Sequence, residues 1–424
     1  MKPFSYLSTA LAFASPLWAT QIHHRDDSDW PNGPFSTDGR WVVDASGQQV
    51  HFAGVNWPGA AEVMIPEGLQ YRSVEQIVSQ MKSVGFNAVR LTYAIEMIDQ
   101  IYDNDGKDIS IETAFVNGLG SENGTLALAK VLENNPSFTN ETTRLQVFDA
   151  IAEELATQNI HILLDNHISK AEWCCSGSDG NTWWGDSQFN VANWLRGLSY
   201  MATHGKQWTG LVAMSLRNEL RNVENNPALL KTYNWQTWYK YVQQGAKAIN
   251  NANGDVLVYL SGLAYDTWIT PVFTQTALTP GKEVFDKAAF AGFSDKLVLE
   301  IHNYEKTVGS CATLKSHLYT KGFQGMNSTD AATKAVFPVQ LTEWGHLMDA
   351  TTWQGVYSTC LRSYVGSLKA SWFMWVIAGS YYTRYGKPDS DELWGLLNHN
   401  WTDWRNPDFV KSGLAPFIRQ TLDS

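Results

Sequence analysis

The sequence predicts an α/β fold, a (β/α)8 TIM barrel carrying an N-terminal hairpin and long loops after its second and third strands. Three observations carry this expectation. Short apolar runs recur along the chain at eight places, and stretches with helical spacing of apolar residues separate them. The 424 residues exceed the roughly 250 of a plain barrel, which leaves length for insertions at the strand ends.

Taken in order, residues 1–19 read as a secretory signal: Lys2, an apolar stretch from Phe4 to Trp18, then Ala19 ahead of a polar segment. Residues 20–424 then form a single domain. The His23-His24 and Asp26-Asp27 pairs belong to a solvated mature terminus rather than to a metal site. Residues 41–50 look like a hairpin turning at Ala45-Ser46-Gly47 and plugging the closed end of the barrel. The eight runs are 50–56, 88–91, 160–165, 211–216, 256–260, 297–301, 339–341 and 372–377. Runs of roughly 4–8 apolar residues between turn signals are the pattern of strands covered on both faces. Between the first two, residues 73–84 place apolar side chains at helical spacing, and Gly85 follows as a C-cap. Residues 143–158, 235–250 and 352–368 repeat the pattern. Strand alternating with helix builds a parallel sheet, and eight repeats close it. The stretches 96–140 and 168–194 are too long for simple connections. Both leave strand C-termini, so both are expected to wall the active face.

Hydrophobic residues make up 44% of the chain, aromatic residues 13% and charged residues only 17%, which suits a large core and an exported protein. The net charge is −11 with no cluster of Lys or Arg. Nucleic-acid and anionic-membrane partners depend on concentrated positive charge, so neither is expected; a monomer is. Asn123, Asn140, Asn327 and Asn400 are N-glycosylation acceptors. The four cysteines point to two disulfides in an exported chain. Adjacent cysteines rarely bridge each other, so Cys174 and Cys175 are expected to pair with Cys311 and Cys360, in an order left open.

Two glutamates stand out. Leu211-Val-Ala-Met-Ser-Leu-Arg-Asn-Glu219 and Pro338-Val-Gln-Leu-Thr-Glu343 each end an apolar run in a carboxylate. Carboxylates are rarely buried without a partner or a task. On strands this far apart in sequence the two meet only where strand C-termini converge on one face of a closed parallel sheet. That arrangement points to the carboxylate pair of glycoside cleavage. An ion pair of Glu219 with Arg217 or Arg221, and a helix-capping Glu343, are the plainer alternatives. The other strand tips carry Arg90, Asp165-Asn166-His167, Asn218, His302-Asn303-Tyr304 and Trp375. Trp57, Trp173, Trp183, Trp184 and Trp268 are candidates for sugar platforms or for core, since an indole face stacks on a sugar ring. Tyr265, Asp266 and Glu300 could also line the site. No Gly-x-Ser-x-Gly elbow, His-Glu-x-x-His helix, phosphate loop or dinucleotide fingerprint is present.

This set of strand-tip residues resembles glycoside hydrolase family 5, the cellulase-like retaining enzymes of the (β/α)8 clan, over roughly residues 41–422. The resemblance implies that Glu343 is the nucleophile and Glu219 the acid/base. It implies that Arg90 braces Glu343, that Asn218 bonds the sugar 2-hydroxyl, and that His167 and His302 line the subsite of the cleaved sugar. Tyr304 would bond the nucleophile and Trp375 would form a stacking floor. One position departs from the family's usual Asn-Glu-Pro: Leu220 stands where proline is expected. The implied function is retaining hydrolysis of a β-linked glucan, with endo-β-1,4-glucanase as first reading and no metal or organic cofactor. An exo-acting β-glycosidase or transglycosylase on small β-glycosides, a β-mannan or β-1,3/1,6-glucan hydrolase, and a non-catalytic carbohydrate-binding barrel stand as alternatives.

Overall fold

Eight parallel strands close into a barrel in the computed structural model, which describes residues 30–423. The expected signal at 1–19 and the polar segment 23–27 lie outside the described residues. A short antiparallel pair, β1 (Ser36–Asp38) and β2 (Trp41–Val43), precedes the barrel. The barrel strands are β3 (Ala53–Trp57), β4 (Ala88–Ala94), β5 (His161–Ile168), β6 (Leu211–Ser215), β7 (Leu257–Leu260), β8 (Leu297–Asn303), β9 (Val339–Trp344) and β10 (Trp372–Met374). Each neighbours the next, and β10 pairs with both β9 and β3 to close the ring. All eight apolar runs are therefore barrel strands.

The helices form where the sequence signals them. Val74–Val84 opens with a reciprocal Ser73–Gln76 capping box and ends at Gly85 in the left-handed region. Arg144–Thr157 opens with a Thr143–Gln146 box, and Trp235–Ala252 runs two residues beyond its expected end. The last expected helix starts later, at Val356, after a single 3₁₀ turn at Thr352–Gln354.

Strand alternation decides what reaches the barrel interior. On β8, Leu297, Leu299 and Ile301 join the apolar layer between barrel and helices, while Val298 lies in the inner cluster. Glu300 and His302 share the parity of Val298 and point inward. At the closed end Phe373 fills the interior, and Gly54 beside it is obligatory. A Cβ there would sit on the Phe373 ring, 2.2 Å from its nearest carbon.

The N-terminal plug is present, but its strands differ from the expected ones. β1 and β2 turn at Gly39, whose φ is 56°. The expected turn at Ala45–Gly47 also exists: the Asp44 carboxylate accepts from Ser46 N–H, the Ser46 hydroxyl and Gln48 N–H. That compact turn leaves only the single bridge Val43↔Gln49 beyond it. Phe35, Val42, Val50 and Phe52 pack with Leu163, Tyr259 and Phe373 to seal the barrel floor.

Two further expectations need correction, and one element was not foreseen. The stretch after the second barrel strand forms three helices, Ile95–Asp103, Ile111–Leu119 and Ser121–Asn134, and lines no part of the cleft. Its length reads as an insertion, but helices capped at Ser110 and joined at Gly120 pack on one another. The cysteines pair locally: Cys174 with Cys175 and Cys311 with Cys360. Cys311 begins one outer helix and Cys360 lies within its packed neighbour, with Cα atoms 5.1 Å apart. Cys174 and Cys175 sit at the cleft, joined by a cis peptide. Lastly, a hairpin not expected from the sequence, β11 (Ser380–Arg384) and β12 (Lys387–Asp391), follows the eighth barrel strand.

Candidate active site

A cleft of about 470 Å³ opens at the C-terminal end of the barrel and contains both glutamates. Glu219 lies just past β6 with φ 49°, a conformation uncommon for a side-chain-bearing residue and concentrated at functional sites. The turn is held by Asp266, whose Oδ2 accepts the Glu219 N–H at 2.8 Å. Proline disfavours the helical regions for the residue before it, so Leu220 suits a left-handed Glu219. Glu343 is the penultimate residue of β9, where the ladder to β8 shifts register between Ile301 and His302. Thr342 is skipped, His302 pairs with Glu343, and both Thr342 and Glu343 turn toward the barrel axis.

The two carboxylates come close. One oxygen of each, together with a His302 nitrogen, lies within a group whose members are all within 4.8 Å of one another. His302 Nδ1 is 3.1 Å from Glu219 Oε1 and 3.6 Å from Glu343 Oε2. Arg90 Nη1 donates to Glu343 Oε1 at 2.7 Å, and the Tyr304 hydroxyl donates to Glu343 Oε2 at 3.0 Å. Among the described residues two groups, Glu219–His302–Glu343 and Cys174–Cys175–Glu219, have side chains close enough to surround a cation, but the two cysteines are joined in a disulfide and Glu343 is already paired with Arg90. The Arg90 guanidinium already supplies positive charge to that carboxylate.

Arg90 is fully buried and organises the floor. It also donates to Asn56 Oδ1 and Asn218 Oδ1, each at 2.9 Å, and lies 3.0 Å from Asp165 Oδ1. A guanidinium at this depth without such partners would cost several kcal/mol, about 3–5 on the scale of broken buried pairs. Its hold on Asn218 Oδ1 leaves the amide Nδ2 aimed outward, toward the sulfurs of Cys174 and Cys175 at 3.6 and 3.8 Å. Asp165 Oδ2 bonds His167 Nδ1 at 2.7 Å, and the His167 ring stacks on Trp375 with centroids 5.7 Å apart.

Burial pushes the Glu219 carboxyl above its ordinary value, with Asp165 adding to the rise and His167, Arg221 and Arg90 opposing it. Burial lowers His302 to about 4, so its ring is neutral near pH 7. Asp165 falls the other way: burial works against its charge, but Arg90 and His167 outweigh it and hold the carboxyl low.

Every strand-tip residue singled out in the sequence is brought to this face, though not all meet the cleft. Glu219, Glu343, Asn218, His167, Tyr304 and Trp375 line it; Arg90 and His302 lie beneath, touching the glutamates from below. Arg217 and Arg221 do not pair with the Glu219 carboxylate. Arg217 bonds Ser169 and the Asn181 carbonyl, and Arg221 pairs with Asp179. Among the tryptophans, Trp173 lines the cleft, whereas Trp57, Trp183 and Trp184 are buried. Trp268 is 39% exposed and lies outside the cleft. Glu300 does not line the site; it is fully buried below His302.

The far wall was missed in the sequence. Arg384 of β11 lies over Trp173 at 3.8 Å and pairs with Glu392 at 3.0 Å. Glu392 accepts from the Tyr381 hydroxyl and from Trp394 N–H, each at 2.8 Å. Trp394 then meets Tyr304 edge-on at 5.7 Å. The Tyr381-Tyr382-Thr383 run followed by the Gly386 turn is the signal that could have revealed this hairpin.

A model of the family described as Cellulase (glycosyl hydrolase family 5) matches residues 43–380. A glycosyl hydrolase 5 family protein of Chamaecyparis obtusa is 32% identical over 395 residues, covering 89% of this chain and 65% of that one. The chain thus spans just under two thirds of that relative. An endoglucanase of Paenibacillus polymyxa is 23% identical over 401 residues, covering 91% of this chain and 88% of that one. The endocellulase of Pyrococcus horikoshii, solved with cellotetraose, shares the barrel with a TM-score of 0.67 at 16% identity, covering 92% of this chain and 99% of that one. Because the family match runs across all eight barrel strands and both glutamates, the chain belongs to glycosyl hydrolase family 5.

Proposed function

We propose that this chain is a retaining glycoside hydrolase acting on β-linked glucan, with Glu343 as nucleophile and Glu219 as acid/base. The observation that supports it best is the approach of the two carboxylates, with one oxygen of each within 4.8 Å. Retaining enzymes hold their carboxyl groups about 5–5.5 Å apart, whereas inverting enzymes leave about 6.5–9.5 Å for a water. In the first step Glu343 attacks the anomeric carbon and forms a glycosyl ester, while Glu219 gives its proton to the leaving oxygen. In the second step Glu219 takes a proton from water, which attacks the same carbon and releases Glu343. Asn218 Nδ2 is placed to bond the sugar 2-hydroxyl, His167 lines the same subsite, and Trp375 offers the stacking floor.

The names of the similar proteins support an endo-acting β-1,4-glucanase as the first reading. A specific observation favours a second. Trp173, Arg384, Glu392, Trp394 and Tyr304 contact one another in turn and line the cleft as a continuous wall. A wall along one side of the cleft limits how many sugars bind there. A product profile by mass spectrometry on β-glucans, mannans and aryl β-glycosides separates the two. A ladder of oligosaccharides supports the open-groove reading, whereas release of only a mono- or disaccharide supports the walled pocket. No turnover of any β-glycoside contradicts both and leaves a carbohydrate-binding barrel.

Export as a glycosylated monomer is part of this proposal. Two disulfides suit an oxidising compartment, and Asn123, Asn140 and Asn400 are exposed. No helix among the described residues is long and apolar enough to cross a membrane. A mature N-terminus near residue 20 in protein recovered from the medium is the expected sequencing result; an intact Met1 would contradict it.

A further inference from the structure

A line of hydrogen bonds runs from the acid/base down into the barrel. His302 Nδ1 faces Glu219 Oε1 at 3.1 Å, and His302 Nε2 lies 3.1 Å from Thr342 Oγ1. The Thr342 hydroxyl donates to Glu300 Oε2 at 2.8 Å, and Glu300 Oε1 accepts from the Ser215 hydroxyl. Asp266 Oδ2 is 3.9 Å from His302 Nε2, beyond hydrogen-bond length, so Thr342 is the ring's partner on that side. Nothing in the two-step reaction uses Glu300.

The direction of this line has a chemical consequence. A hydroxyl has one proton to give. With that proton committed to Glu300, Thr342 Oγ1 can only accept, so His302 must carry its hydrogen on Nε2. Neutral imidazole has a single N–H, which leaves Nδ1 a bare acceptor. The contact with Glu219 Oε1 is then a hydrogen bond only when Glu219 holds a proton. If Thr342 instead donated to Nε2, the hydrogen would move to Nδ1 and would favour the Glu219 carboxylate.

Resting on the assignment of Glu219 as acid/base, we propose that Glu300 is a positioning residue: acting through Thr342 and the His302 tautomer, it keeps Glu219 loaded with the proton that the leaving group requires. Burial pushes the Glu300 carboxyl up to about 7 against the pull of Arg90. A proton on Oε1, toward Ser215, leaves Oε2 an acceptor, so the direction of the line survives protonation. The charged and titratable groups around Glu300 are Arg90 from β4, Asp165 from β5, Tyr259 from β7 and Asp266 from the loop after β7. Those around Glu219 are Glu343, His167, Arg221, Arg90, Asp165, Asp266, His302, Tyr265 and Tyr304. Of these groups only His302 touches the Thr342 hydroxyl, whose proton goes to Glu300.

Thr342→Val removes the relay hydroxyl, and Glu300→Met frees it to donate upward. Both are expected to move the alkaline limb of the kcat/KM pH profile down by about one unit, a tenfold change in proton occupancy. The loss should be at least about tenfold larger on a β-glycoside with a poor leaving group than on its 2,4-dinitrophenyl counterpart. Thr342→Ser and Glu300→Gln restore the donor–acceptor pattern and are expected to bring the limb back. If Thr342→Val does not fold, as judged by circular dichroism, Glu300→Met carries the test. An unmoved limb and equal losses on all leaving groups in the folded variants would overturn the proposal. If Glu219→Ala itself shows no leaving-group dependence, the acid/base assignment fails instead.

Discussion

Alanine in place of Glu343 is expected to leave a folded protein whose kcat/KM on β-glucan has fallen by about 10⁴-fold or more, the scale on which loss of a covalent nucleophile reads out. The fold should survive because Glu343 is only one of several partners of the buried Arg90. Asp165 at 3.0 Å and the amide oxygens of Asn56 and Asn218 at 2.9 Å remain. The chemistry should not survive, because Glu343 stands beside Glu219 between Arg90 and Tyr304, whereas Glu392, likewise held by a guanidinium and a phenol, belongs to the far wall. Initial rates together with thermal unfolding check both halves. Near-normal turnover by a folded variant would remove Glu343 from the mechanism.

Glu219→Ala should behave differently, because only proton transfer is lost. On substrates with poor leaving groups the expected loss is about 10²–10⁴-fold, while a dinitrophenyl glycoside, which needs no proton, should still form the glycosyl-enzyme. Added azide should then attack that intermediate from the vacated space and yield a β-glycosyl azide. The pH dependence follows from the same residue. Glu219 must be protonated to act as acid, and burial raises its pKa. Activity should therefore be present below that raised value and lost as pH rises through it, later than for an ordinary glutamate. In Glu219→Ala, with an activated substrate, that alkaline limb should vanish. Equal losses across leaving groups with no azide product would contradict the role.

The strand-tip chemistry was legible because a parallel barrel imposes two simple rules. Side chains alternate across each strand, and strand C-termini share one face. Arg90, His167 and His302 obey those rules, and Glu343 reaches the same face through the register shift that turns it and Thr342 together toward the axis. What escaped depends on the path of loops. The Cys174–Cys175 pairing is set by the backbone at one peptide, where a preference against adjacent bridges carries no information about the site. The length of residues 96–140 marked an insertion without saying whether it covers the cleft, and the three helices pack elsewhere. The Arg384–Glu392–Trp394 segment is local in sequence, but its contacts with Trp173 and Tyr304, which make it a cleft wall, are long-range. Glu300 interrupts the apolar run of the sixth barrel strand, and parity alone turned it inward. Its partners Ser215 and Thr342 come from β6 and β9, on either side of its own strand, and could be found only in three dimensions.

The most direct measurement is to trap the intermediate. The enzyme would be incubated with a 2-deoxy-2-fluoro β-glycoside bearing a dinitrophenyl leaving group, then digested and sequenced by tandem mass spectrometry. The account predicts one equivalent of fluoroglycosyl ester, carried by the peptide containing Thr342-Glu343-Trp344 and located on Glu343. A label on any other carboxylate, or hydrolysis with inversion and no trapped ester, would contradict it.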